Sequence, residues 1–152
     1  MVTGFALLAL TPVIYLLYNS MQGYQTETAN AQGSAVARDI IATAERAWAH
    51  GPPTRLTLPI NMPQGILNIS IRRHDTASGC TKCTEILMTL NTRGIIVASS
   101  AVDIHGVDAP VTETDSMGYT STIYLFNQSL ISPGSRRLTL EAFKDYVELR
   151  QS

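Results

Sequence analysis

The sequence predicts an α+β chain, with a long N-terminal α-helix over residues 1–50 and a C-terminal antiparallel β-rich head over residues 51–152. Three observations predict it: no charged residue precedes Glu27, helix-favouring texture stops at Gly51-Pro52-Pro53, and short alternating apolar runs follow. A length of 152 residues with 45% apolar content is that of one ordinary domain. The formal charge of −1 and the scattered arginines leave no basic surface for a phosphate backbone, so no nucleic-acid partner is expected.

The run MVTGFALLALTPVIYLLY, Met1 to Tyr18, is apolar apart from two threonines, and the uncharged segment continues to Tyr24. At about 1.5 Å per residue it reaches across most or all of a ~30 Å hydrocarbon layer. A plain membrane anchor is one reading. A cleaved signal peptide, with Ala29-Asn30-Ala31 as its site, is another, disfavoured because no Lys or Arg precedes the run and a polar spacer follows it. Pro12 removes a backbone donor and predicts a kink or a melted turn over residues 8–12. From Gln25 to Ala49 alanine recurs and only Gly33 interrupts, so one rod of roughly 45 residues, about 70 Å, is expected. Tyr24, Thr28, Ala31 and Ala35, then Ala37, Ile41, Ala44 and Trp48, recur at spacings of three and four that mark a packed face.

Beyond Pro53, Arg55–Ile60 and Ile66–Arg72 read as strands joined by a turn over residues 61–65. Glu85–Leu90 and Gly94–Ser99 read as a hairpin, and Tyr119–Phe126, Arg137–Phe143 and Tyr146–Arg150 as three more strands. Pro59 makes the first strand an edge or ends it there. Residues 103–118 read as a long polar loop.

Chemistry-bearing motifs are sparse. Cys80 and Cys83, the only cysteines, admit three readings: half of a zinc site with His74 nearby, a thioredoxin-like pair, or a local disulfide. The disulfide is preferred, because no second ligand pair exists and the motif lies between strands; it implies an oxidising compartment. Two N-x-[ST] sequons, at Asn68 and Asn127, are candidate glycosylation sites, the second favoured because it follows a strand. No phosphate-binding loop, H-E-x-x-H or G-x-S-x-G is present. No catalytic residue, cofactor or metal is assigned, and the three histidines read as solvated surface.

The uncharged helix with Pro12, the Ala-rich continuation Ala29–Ala49, the Gly51-Pro52-Pro53 stop and the segment LTLPINMPQGILNISI (56–71) together resemble archaeal type IV pilins and their class III signal-peptide relatives. The resemblance implies a structural subunit of an extracellular filament, a helical homopolymer whose core is a bundle of such helices. It further implies a membrane-inserted stage before assembly, an assembly machinery as partner, and surface glycans. The family's core positions fall on Val2, Phe5, Leu7, Leu8, Leu10, Val13, Ile14, Leu16 and Leu17, with Pro12 among them. Family precursors carry a basic leader ending in Lys or Arg and Gly; no such residue stands before Met1, so no peptidase site is identified. The alternative is a single-pass anchored surface domain or minor pseudopilin of a secretion machine.

Overall fold

A computed structural model describes residues 2–74, 83–91, 94–106, 110–114, 120–126 and 131–151, with backbone alone for residues 2–9, 19, 21–26 and 151. Helix α1 spans Val2–His50. Nine strands follow among the described residues: β1 Arg55–Met62, β2 Ile66–His74, β3 Cys83–Leu90, β4 Ile95–Ser100, β5 Ile104–Gly106, β6 Val111–Thr114, β7 Thr120–Leu125, β8 Gly134–Ala142 and β9 Val147–Gln151.

The expected architecture, a long N-terminal helix carrying a separate antiparallel head, is corrected. The molecule is strand-rich, with a four-stranded sheet in the order β1-β8-β9-β5 and a five-stranded sheet in the order β4-β3-β2-β7-β6. The four-stranded sheet is mixed, since β5 runs parallel to β9. Helical side chains are described over residues 10–18, at residue 20, and over residues 27–50, and the last stretch belongs to the core of the β domain. Val36, Ala37, Ile40, Ile41 and Ala44 pack with Ile69 and Ile71 of β2, Ile86 and Met88 of β3, and Leu138 and Leu140 of β8 in one cluster. That cluster crosses the boundary expected at residues 50 and 51.

Layering follows from strand periodicity. β3 alternates half-buried and buried along its length, so one face meets the core and the other looks outward. The helix lies against β3 and β4 of one sheet and β1, β8 and β9 of the other, while β5 approaches β2 and β7. The two sheets are thus bridged by the helix on one side and by β5 on the other.

The helix ends where the sequence predicts. Gly51 takes the left-handed conformation (φ 73°), and its N–H donates to the Trp48 carbonyl at 3.0 Å. The docked face, however, is Gly33, Val36, Ala37, Ile40, Ile41, Ala44 and Ala47, whereas Ala31, Ala35 and Trp48 are exposed. A 3.6-residue repeat selects one azimuth, and taking Ala35 and Trp48 shifts it by about 100° per residue of error. Gly33 is required by close approach: a Cβ there would stand 2.6 Å from Ile96 Cδ1 of β4.

One strand expectation is also corrected, that of the loop over residues 103–118. β1 pairs with β8, so the turn after Met62 carries the chain from one sheet to the other. The expected polar loop over residues 103–118 contains β5 and β6, short strands whose apolar alternation is too brief to register. β1 is an edge strand, as Pro59 requires, and β3 and β4 pair antiparallel.

Candidate assembly helix

Residues 10–18 form the site that the fold leaves uncovered. All nine are exposed, and Leu10, Val13, Ile14, Tyr15, Leu16, Leu17 and Tyr18 each retain between 50% and 68% of their surface. Nine consecutive residues at 100° each sweep two and a half turns, so the apolar character lies on every side. Helices that are apolar all round are found buried in protein or in lipid, because no azimuth is left for water. Each large side chain here would gain roughly 1.5–3 kcal/mol on complete burial from water.

Of the positions expected in a filament core, Leu10, Pro12, Val13, Ile14, Leu16 and Leu17 lie in this exposed stretch. Val2, Phe5, Leu7 and Leu8 are helical in backbone, and their side chains lie outside the described residues. Pro12 sits inside the helix. Having no amide hydrogen, it leaves the Leu8 carbonyl without its usual donor. Among the described residues no helix is long and apolar enough to cross a membrane.

The remaining sequence candidates are dispersed. Cys83 opens β3 and is disulfide-bonded, and Cys80 lies outside the described residues. Asn68 lies on β2, half-buried, opposite Thr89; Asn127 lies outside the described residues. Among the described residues no group of three or more His, Cys, Asp or Glu could hold a metal ion.

The reading of the histidines as solvated surface is corrected for two of the three. His74 Nε2 meets Glu85 Oε2 at 3.1 Å, and its Nδ1 lies 3.4 Å from the Ser121 hydroxyl. His105 is enclosed more fully. Its ring stacks between Tyr146 (4.2 Å between centroids) and Tyr124 (5.2 Å), with Phe143 stacked beyond Tyr146 at 5.0 Å. Its Nε2 lies 3.1 Å from Arg73 Nη1 and 3.1 Å from Asp103 Oδ1, and Arg73 Nη1 is 3.6 Å from Asp103 Oδ2. One ring nitrogen cannot accept from Arg73 and donate to Asp103 together. With Arg73 donating, Asp103 Oδ1 is buried without a hydrogen bond.

Arg73 belongs to the five-stranded sheet, while His105 sits in β5 and Asp103 immediately precedes it, so the cluster ties the two sheets together. It contains no nucleophile paired with a base, which makes it a clamp in chemical terms. Sequence reasoning missed it because its members are drawn from segments some thirty residues apart, one of them hidden in the expected loop. On the outward face of the four-stranded sheet, Arg55 pairs with Glu141 at 2.8 Å and Arg150 with Glu148 at 2.6 Å. The hydrogen bond from Arg150 to Glu148, and then their charge attraction, raise the arginine's pKa above its ordinary value.

Comparison with protein-family models, with characterised proteins and with solved structures yields no match to this chain.

Proposed function

We propose that the chain is a structural subunit of an extracellular pilus-like filament, in which the uncharged helical stretches of neighbouring subunits cover one another and the β domains stand outside. The observation that carries this reading is the exposure of residues 10–18 on every side, whereas the apolar face formed by Val36, Ala37, Ile40, Ile41 and Ala44 of the same helix is packed. The continuity of the backbone helix from there to the docked stretch adds support. A simple tether is usually a flexible Ser, Gly or Pro linker, which would decouple the two. The oxidised Cys83 fits a surface location.

Before assembly the same residues would be held in lipid. Moving them from lipid into a helical bundle exchanges one apolar environment for another, so close packing and not the hydrophobic effect must favour the polymer. Assembly machinery would supply the work of extraction. The β domains carry no catalytic constellation among the described residues, and the proposed role is structural.

Negative-stain microscopy of the full chain and of its Ile14→Glu and Leu8→Glu variants tests the proposal. Fibres a few nanometres wide from the unaltered chain, lost in both variants while the β domain keeps its thermal transition, are the expected result. Dispersed particles from the unaltered chain, or fibres that persist with a buried glutamate, would overturn it.

A further inference from the structure

We infer that the β domains of the filament join edge to edge: β4 of one subunit pairs with β6 of a second copy, so that the five-stranded sheet continues from one head into the next. The inference rests on the filament reading above and adds a second contact between the same partners, outside the helical bundle.

The sheet edges differ in how they are guarded. A free edge offers unpaired N–H and C=O groups to any other strand, and proteins blunt it with proline, charge, a bulge or brevity. β1, at one edge of the four-stranded sheet, carries Arg55 and Pro59, and the proline has no N–H to offer. β5, at the other edge, has only three residues. β4 reads IIVASS, without proline or charge, and its ladder to β3 runs unbroken from Ile95 to Ser100. The helix lies against its inner face, where Gly33 stands against Ile96, and on the outward face Ile95 and Val97 are 63% and 54% exposed. Among the described residues no strand lies beyond β4.

β6 forms the opposite edge of the same sheet and pairs with β7. All four of its residues, Val111–Thr114, are exposed. Successive side chains of a strand point to opposite faces, so neither face of β6 is covered. A strand seated on a core hides one face. β6 thus stands beyond the core of its own domain, as residues 10–18 do.

The two edges fit each other. Subunits of an open helical polymer meet through two different surfaces, because a patch that meets its own copy closes a dimer. Four successive antiparallel pairings set β4 and β6 in the same direction. A sheet repeated by translation therefore brings β6 of the next copy alongside β4 as a parallel strand. Val111 pairs with Ile123, which continues through Arg72 and Glu85 to Ser99, so Val111 shares the outward face with Ser99 and Val97. The register that sets Val111 beside Val97 sets Glu113 beside Ser99, giving an apolar contact and a hydroxyl donor for the carboxylate. Pairing of β4 with its own copy runs antiparallel about a two-fold axis and ends at a dimer.

The test uses full-length chains carrying Val97→Cys or Val111→Cys, both at exposed positions. Fibres grown from an equal mixture of the two, oxidised and run on a denaturing gel without reductant, are expected to give a disulfide-linked pair whose digest joins position 97 to position 111. Fibres of the Val97→Cys chain alone are expected to give none. Val97→Lys, which puts a charge on the unguarded edge, is expected to raise the concentration needed for fibres about tenfold, with an unchanged urea midpoint. Fibres from the mixture without that cross-link would overturn the sheet join and leave the helical core intact. A cross-link between two Val97→Cys chains would overturn it in favour of a closed β4 dimer. Absence of fibres from the unaltered chain would overturn the filament reading and this inference with it.

Discussion

Two stretches of helix in this chain solve opposite problems. Residues 27–50 are amphipathic: one face enters the β core through Val36, Ala37, Ile40, Ile41 and Ala44, and Arg38, Asp39, Glu45 and Arg46 stay in solvent. Residues 10–18 have no such division and no place in that core. The difference teaches where each stretch finds its cover. A sided helix is completed by its own domain, whereas one that is apolar all round needs neighbours on all sides.

Charge separates the two most sharply. Ile14→Glu is expected to abolish fibres altogether while leaving the chain's urea midpoint unchanged, as read by microscopy and by circular dichroism on the same sample. Ile40→Ala should do the reverse, lowering stability by about 2–5 kcal/mol through the cavity left in the core, measured by urea unfolding.

Smaller effects sharpen how the docked stretch is held. Gly33→Leu should cost roughly 1–3 kcal/mol, because the added side chain enters the space of Ile96, and the cost should shrink in an Ile96→Ala background. Asp103→Ala, which strips Arg73 and His105 of their acidic neighbour, should cost about 1–3 kcal/mol by the same unfolding assay. Arg55→Ala, at an exposed pair, should cost no more than about 1 kcal/mol and lose that effect in high salt.

Much of this was legible in the residues. Gly51-Pro52-Pro53 marks the end of the helix because a left-handed glycine and two prolines are local requirements, and Pro59 marks an edge strand for the same kind of reason. The hairpin of β3 and β4 is local too. What escaped is non-local. β1 finds its partner in β8, about eighty residues on, a pairing that no local pattern announces. β5 and β6, of three and four residues, are too short to show a period, and with β5 went the Arg73–Asp103–His105 clamp. The exposed apolar stretch was the most readable feature, since the absence of charge before Glu27 needs no tertiary information. Its surroundings were not readable, because burial depends on what packs there.

That dependence fixes the decisive measurement. A photo-activatable side chain placed at Leu17 in assembled material, irradiated and digested, reports which atoms lie against the helix. The account predicts adducts to residues 1–24 of other subunits. Adducts confined to lipid or detergent, or to the same subunit's β domain, would contradict it.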